Sequence, residues 1–129
     1  LDTFGRNLGI AFQLVDDAID YDSEASESGK DKGDDFREGK MTLPVILAYA
    51  RGTAEERKFW EDAIAGFRTE DEDLAHAVEL INRHGCVEAT RERARLYGQR
   101  AIDALSIFPA GAARDAMCEA VEFAIARRY

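Results

Sequence analysis

The sequence is poor in cysteine and has no long apolar run, and each absence excludes a class of protein. The two cysteines, Cys86 and Cys118, have neither the number needed for a disulfide framework nor the spacing of a metal site. No stretch approaches the roughly 18 consecutive apolar residues that cross a membrane, and the start shows no signal-peptide pattern. We therefore expect a reduced, cytoplasmic compartment and no transmembrane segment.

Basic residues are also scarce. The 129 residues include 17 lysines and arginines against 26 aspartates and glutamates, which gives a net charge of −9. Nucleic acid is excluded as a partner because its phosphate backbone needs a basic footprint. The cations are unevenly distributed: through Gly29 the chain has only Arg6, whereas residues 30–40 contain four basic residues. That local charge is compatible with a small phosphorylated ligand.

Strand signals are missing as well. The sequence shows no apolar–polar alternation, no glycine-rich hairpin turn and no internal repeat. We therefore predict an all-α fold, an antiparallel helix bundle with mostly short connections. The predicted helices cover residues 2–22, 41–51, 54–65, 70–84, 86–105 and 110–128. Residues 23–40 are predicted to be a loop, and loops of this length are usually functional or disordered.

The first predicted helix carries an unusual polar stripe. One broad arc is apolar, and the opposite arc contains no lysine or arginine. The residues of that opposite arc are Gly9, Phe12, Gln13, Asp16, Asp17 and Asp20. Like charges three and four residues apart destabilise an isolated helix by about 0.2–0.5 kcal/mol per pair. A cation that neutralises the aspartates would explain why the helix carries this cost.

The aspartates of the stripe suit a divalent metal. Asp16 and Asp20 lie one turn apart, and Asp17 leans toward the same gap. Mg²⁺ prefers oxygen ligands and is commonly held by one or two carboxylates together with substrate phosphates. Gln13, one turn earlier, is placed to orient a carboxylate or to meet the ligand. The alternative is an acidic face exposed to solvent, and for Phe12 alone core packing explains the residue equally well.

The predicted loop supplies cations close to these carboxylates. Lys30 and Lys40 flank an Asp-Asp step, and lysine binds phosphate as a point charge. The two aspartates of that step are candidates to bond a lysine or a metal-bound water. A charged loop without a binding role is the alternative, and it is the better interpretation of Lys32 and Arg37.

Other metal and nucleotide motifs do not fit the sequence. An EF-hand that starts at Asp20 fails because its sixth position is Ala25 and its twelfth is Asp31. A di-iron bundle needs repeated Glu-x-x-His pairs, which are absent. The sequence also contains no nucleophile elbow, P-loop or dinucleotide fingerprint.

Taken together, these residues resemble the second aspartate-rich region of the trans-polyprenyl diphosphate synthases. The matching elements are Gly9-x-x-Phe12-Gln13-x-x-Asp16-Asp17-x-x-Asp20, then Gly29-Lys30, then Gly33-Asp34-Asp35-Phe36-Arg37-Glu38-Gly39-Lys40-x-Thr42-Leu43-Pro44. The ending Gly-Lys-x-Thr-Leu-Pro resembles the long-chain branch, such as the octaprenyl, solanesyl and decaprenyl diphosphate synthases. The match covers the first third of the chain, and the later helices are compatible but not diagnostic.

The resemblance implies a function and a set of site residues. It implies the isoprenoid synthase (class I terpenoid synthase) fold, dependence on Mg²⁺, and condensation of isopentenyl diphosphate with an allylic diphosphate. The metal-binding aspartates of the family's second motif correspond to Asp16, Asp17 and Asp20. The substrate-binding residues correspond to Lys30, Lys40, Gln13, Phe12 and Asp35. A C-terminal arginine linked to the isopentenyl diphosphate pocket corresponds loosely to Arg127 or Arg128.

The resemblance is also incomplete. The family's first aspartate-rich motif and the Arg-Arg-Gly element after it are absent, and family members are well over twice as long. Because the chain begins at Leu1 within a helical pattern, we expect residues 1–129 to be the C-terminal helical half of a synthase domain. In that half, residues 1–22 form the metal-site helix, 23–40 the phosphate-binding loop and 41–129 the packing helices.

We expect this half to be inactive alone and to pair with the missing N-terminal half or to form a homodimer. Two alternatives remain open for the whole protein. One is a non-catalytic regulatory subunit of a heteromeric prenyl synthase, which would keep the fold and bind a catalytic partner. The other is a terpene cyclase, against which the Gly-Lys-x-Thr-Leu-Pro stretch argues.

Overall fold

Helices build most of the chain that the structure, a computed structural model, describes, which is residues 1–22, 33–66 and 70–127. They are α1 (Asp2–Tyr21), α2 (Asp34–Arg37), α3 (Leu43–Arg51), α4 (Ala54–Trp60), a π-helical turn (Glu61–Ala65), α5 (Asp71–Arg83), α6 (Cys86–Ala104), a 3₁₀ turn (Leu105–Ile107) and α7 (Ala112–Ala126). No strand occurs in these ranges, which confirms the predicted all-α class. Within them, no helix has the length and apolarity needed to span a membrane.

Local sequence signals set several of the helix boundaries. α4 begins with a capping box, in which Thr53 Oγ1 accepts a hydrogen bond from the Glu56 N–H and Glu56 Oε1 accepts one from the Thr53 N–H. α3 begins after Thr42 and has a proline in its first turn, although the Thr42 side chain makes no capping hydrogen bond. Gly85 has a φ of +65°, which allows the sharp turn between α5 and α6.

The structure differs from the predicted elements at two places. The predicted loop 23–40 contains α2, a helix of four residues, while residues 23–32 lie outside the described part of the chain. The predicted helix 54–65 changes to a π-helical turn at Glu61. A single helical turn is too short to show a period in the sequence. The π-helical turn continues α4 with a similar mix of apolar and polar residues, so the spacing of apolar residues in the sequence does not distinguish it from an α-helix.

One core lies between α1, α6 and α7. The most extensive helix contact is between α1 and α6, and α7 packs against both helices. Val15, Ile19 and Ala94 are buried in this contact. Gly98 lets α7 come close to α6, because a Cβ at this position would lie 2.9 Å from Ile125 Cγ2. This packing fixes the helix that carries the predicted aspartates.

A second, larger core lies between α3, α4 and α5. Its buried members are Tyr21, Phe36, Val45, Ala48, Trp60, Ala63, Ala77, Leu80, Ile81 and Cys86. Trp60 makes edge-on ring contacts with Phe36 and Phe59, with centroid separations of 6.4 and 5.1 Å. Because Tyr21 ends α1 and Phe36 belongs to α2, this core fixes both elements that carry the predicted site.

Candidate functional site

The three aspartates of the polar stripe on α1 have different environments. The side chain of Asp16 is 31% exposed, whereas Asp17 and Asp20 are buried. Gln13 Nε2 donates a hydrogen bond to Asp17 Oδ1 at 2.9 Å. Gln13 thus orients a carboxylate one turn further along the helix, as its position in the stripe predicts.

Asp20 connects α1 to α2. Its Oδ2 accepts a hydrogen bond from the Asp35 N–H at 3.1 Å, and its carbonyl oxygen accepts one from the Gly33 N–H at 3.0 Å. Gly33 has a φ of +84°, and a Cβ there would overlap the side chain of Leu74. The carboxylate therefore satisfies an N–H in the first turn of α2, where a negative charge is favourable.

Asp35, within α2, and Lys40, three residues after α2, carry opposite charges and lie close together. Lys40 Nζ lies 3.8 Å from Asp35 Oδ1 and 2.9 Å from Glu38 Oε2, and the Lys40 N–H donates to the Asp35 carbonyl oxygen. The hydrogen bond to Glu38 and the charges of Glu38 and Asp35 raise the pKa of Lys40. The ammonium is therefore protonated at neutral pH, and 58% of the side chain is exposed to a ligand.

Tyr21 belongs to the same cluster, and the sequence analysis did not single it out. The side chain is fully buried at the end of α1. Burial and the charges of Asp20, Asp35 and Asp17 raise the pKa of its phenol, which therefore stays neutral. Tyr21 thus adds a buried, neutral hydroxyl directly after Asp20, which is hydrogen-bonded to α2. The only signal in the sequence was the position of Tyr21 directly after the third aspartate.

The end of α7 returns to the exposed side of α1. The guanidinium carbon of Arg127 lies 4.5 Å from the Phe12 ring centroid, and Arg127 Nη2 lies 3.5 Å from Asp16 Oδ1. Phe12 is 48% exposed, so its contact here is with an arginine rather than with the core. Arg127 Nε and Nη2 are buried and donate no hydrogen bond within the described residues. A partly buried cation therefore lies beside the aspartates.

A buried arginine lies behind this contact. Arg91, on α6, donates a hydrogen bond from Nη1 to the Arg127 carbonyl oxygen at 2.9 Å, and its Nη2 lies 3.5 Å from Asp22 Oδ2. The sequence analysis missed both Arg91 and Asp22. The helical spacing could have revealed Arg91. It lies four residues after Val87 and three before Ala94, which places it on the inward face of α6.

The remaining basic residues considered in the sequence analysis are Lys30, Lys32, Arg37 and Arg128. Lys30 lies outside the described residues, as do Lys32 and Arg128. Arg37 lies 3.7 Å from an oxygen of Asp34 and 3.8 Å from an oxygen of Asp71, with 42% of its side chain exposed. This position agrees with the interpretation of Arg37 as a surface charge.

The carboxylates fit a metal that is shared with an anionic ligand. Among residues 1–22, 33–66 and 70–127, no group of three or more His, Cys, Asp and Glu side chains is arranged to hold a metal by itself. Asp17 and Asp20 are held by Gln13 and by the backbone of α2. A hard cation such as Mg²⁺ accepts this donor set, because it keeps waters and takes further oxygens from a phosphate.

The fold and the carboxylate cluster define an all-α isoprenoid synthase class, and comparison with known proteins gives the family. The model of the polyprenyl synthetase family matches residues 1–81. The chain therefore belongs to the polyprenyl synthetase family, as its motifs predict. The octaprenyl diphosphate synthase of Escherichia coli (strain K12) is 38% identical over 127 residues, which are 98% of this chain and 39% of that protein.

Solved structures of the same family superpose closely. A polyprenyl synthase from Caulobacter crescentus CB15, complexed with calcium and isoprenyl diphosphate, matches with a TM-score of 0.90 and 47% identity, over 98% of this chain and 38% of that one. A decaprenyl diphosphate synthase from Rhodobacter capsulatus matches with a TM-score of 0.88 and 41% identity, and the match covers 98% of this chain and 39% of that one. The chain thus spans about two fifths of the length of these relatives, which fits a C-terminal portion.

Proposed function

We propose that the chain is the C-terminal portion of a long-chain polyprenyl diphosphate synthase, an enzyme that condenses isopentenyl diphosphate with an allylic diphosphate. In this proposal the chain forms the half of the active site that holds a diphosphate together with Mg²⁺. The observation that carries the proposal is that the aspartates, the Asp35–Lys40 turn and Arg127 meet along the C-terminal half of α1.

The side chains of this cluster have complementary tasks. Asp16, Asp17 and Asp20 would hold Mg²⁺, which when bound supplies positive charge to the leaving diphosphate. The ammonium of Lys40, on a side chain that is 58% exposed, would donate hydrogen bonds to diphosphate oxygens, and the Arg127 guanidinium would add positive charge beside Asp16. These donors stabilise the negative charge that develops as the allylic carbon–oxygen bond breaks. Lys30 has the same task by resemblance to the family.

The relatives support both the substrate class and the long-chain product. The synthase from Caulobacter crescentus is complexed with calcium, a divalent cation, and with isoprenyl diphosphate. Relatives that match nearly the whole chain include synthases named for octaprenyl, nonaprenyl and decaprenyl products. Calcium and magnesium both prefer oxygen ligands, so the same carboxylates suit either ion.

Asp17→Asn is expected to weaken Mg²⁺-dependent binding of an allylic diphosphate about 10–100-fold, because the amide removes a charge that attracts the metal. The measurement is isothermal titration of the whole protein that contains this sequence, with and without Mg²⁺. Asp103→Asn is the matched control, since Asp103 accepts the same hydrogen bond from a glutamine four residues earlier, Gln99, on the exposed face of α6. Wild-type affinity in Asp17→Asn would contradict the site.

The chain alone is expected to catalyse no condensation, because it spans about two fifths of the length of its relatives and its sequence lacks the family's first aspartate-rich motif. Incorporation of labelled isopentenyl diphosphate measures this, and product formed by the isolated chain would refute it. If the whole protein binds diphosphate with Mg²⁺ but forms no product, the non-catalytic subunit becomes the better proposal. A product made from the allylic diphosphate alone would indicate a terpene cyclase.

Exposed apolar side chains suggest where the remaining part of such a synthase packs. Ile107 on the 3₁₀ turn, Phe123 on α7 and Met41 before α3 are 77%, 76% and 54% exposed. Large apolar groups that stay in water commonly mark contact surfaces. We infer that the chain buries them against the remainder of a synthase or against a second copy.

A further inference from the structure

We infer that Arg91 is a positioning residue, which holds the backbone directly after α7 against α1 so that the Arg127 side chain reaches Phe12 and Asp16. The hydrogen bond and ion pair of Arg91 that support this inference join residues of this chain and involve no ligand. Its consequence for ligand binding rests on the proposed function, in which Arg127 adds positive charge for a diphosphate beside Asp16.

Arg91 connects the ends of two helices. Asp22 directly follows α1, and Arg127 directly follows α7. The guanidinium of Arg91 donates to the Arg127 carbonyl oxygen at 2.9 Å and lies 3.5 Å from Asp22 Oδ2. A guanidinium is planar, with its N–H groups in a rigid fork, so binding two partners fixes their positions relative to each other.

The carbonyl that Arg91 binds belongs to the residue that follows α7. Arg127 has a ψ of 137°, so its carbonyl is turned out of the helical direction and meets the guanidinium of Arg91. This hydrogen bond fixes the backbone from which the Arg127 side chain extends. That side chain then lies 4.5 Å above the Phe12 ring and 3.5 Å from Asp16. Without this anchor, the residue after α7 would have to lose more conformational freedom to reach α1.

Burial indicates that Arg91 is retained for position rather than for stability. Its side chain is 4% exposed, and that of Asp22 is 10% exposed. A buried ion pair gains little over well-packed apolar side chains, because both charges lose their hydration. Position 91 faces a core in which Ala94 is fully buried, and an apolar side chain would fill it without that cost. The two directed contacts are what an apolar side chain could not supply.

The first measurement needs no ligand. In nuclear magnetic resonance spectra of the chain, Phe12 ring protons should show Overhauser effects to the Arg127 side chain. Arg91→Lys and Arg91→Met are both expected to lose these effects, since neither side chain can donate in two fixed directions. Arg93→Met is the control, because Arg93 is exposed on the same helix and stacks on Tyr97; it should keep them. If Arg91→Met fails to fold, Arg91→Lys decides, since it keeps the buried charge beside Asp22.

The second measurement concerns the ligand. The apparent Kd of the whole protein for inorganic pyrophosphate with Mg²⁺ is expected to rise about tenfold in Arg91→Lys and to stay unchanged in Arg93→Met. Persistence of the Phe12–Arg127 effects in Arg91→Lys, or their equal loss in Arg93→Met, would overturn the inference. Loss of those effects with unchanged affinity would support the positioning role and overturn the task proposed for Arg127. An absence of pyrophosphate binding by the unmodified protein would count against the proposed function alone.

Discussion

Trp60→Ala is expected to lower the free energy of unfolding of the chain by about 3–5 kcal/mol. Trp60 is 2% exposed and contacts the rings of Phe36 and Phe59 in the larger core. Its removal leaves a cavity that these neighbours fill only in part, because a close-packed core relaxes incompletely around a missing ring. Because the chain has a single tryptophan, circular dichroism rather than fluorescence should follow the unfolding.

The effect of Trp60→Ala should extend to the candidate site. Phe36 belongs to α2, a helix of four residues, and the Phe36–Trp60 contact is one of the few that hold it. Without that contact, the turn that carries Asp35 and Lys40 should become more mobile and bind a diphosphate less tightly.

Two control variants isolate the loss of packing at Trp60. Phe123→Ala, at a 76% exposed position on α7, should change stability by no more than about 0.5 kcal/mol. Trp60→Phe keeps most of the ring and removes an indole N–H that is buried without a hydrogen-bond partner among the described residues. The loss of stability in Trp60→Phe should therefore be smaller than that in Trp60→Ala. A Trp60→Ala protein as stable as the Phe123→Ala control would show that α4 contributes little to the core.

Asp20→Asn and Asp20→Ala are expected to separate two roles of one side chain. Asparagine keeps an oxygen that can accept the Asp35 N–H, so α2 should stay in place. The lost charge should nevertheless weaken Mg²⁺-dependent diphosphate binding about 10–100-fold. Alanine loses the charge too and leaves the buried Asp35 N–H without its acceptor. Relative to asparagine, this should cost about 1–3 kcal/mol of stability.

Two measurements on the Asp20 variants test these roles independently. Hydrogen exchange at the Asp35 amide should be slow in Asp20→Asn and fast in Asp20→Ala, and equal protection in the two would contradict the hydrogen bond. Isothermal titration with an allylic diphosphate and Mg²⁺ should show weak binding by both variants of the whole protein. Affinity equal to that of the Asp103→Asn control would contradict the metal role of Asp20.

Much of the fold and one side of the candidate site could be predicted from local rules. The 3.6-residue period placed helix α1 and brought the aspartates to the same side of it. The same spacing predicted that Gln13 would reach a carboxylate one turn later, and the structure places its amide 2.9 Å from Asp17 Oδ1. These contacts join residues within one helix, so their geometry is already contained in the helical repeat.

The remaining contacts of the candidate site join residues that are far apart in the chain. Asp20 binds the backbone of Asp35, fifteen residues away, and Arg91 meets Asp22 across a separation of 69 residues. No periodic pattern connects such positions. Their pairing depends on how α1, α6 and α7 pack, and on a glycine turn that starts α2.

Local patterns in the sequence were therefore enough to predict a helical chain with an aspartate stripe and nearby lysines, and to relate it to a family of synthases. Folding in three dimensions decided the rest: that Asp20 anchors α2, that Tyr21 is fully buried at the end of α1, and that Arg127 lies beside Phe12. The physical reason is that a helix specifies its own faces through local hydrogen bonds. The partner of each face is selected only when distant helices bury their apolar sides together and their buried polar groups find one another.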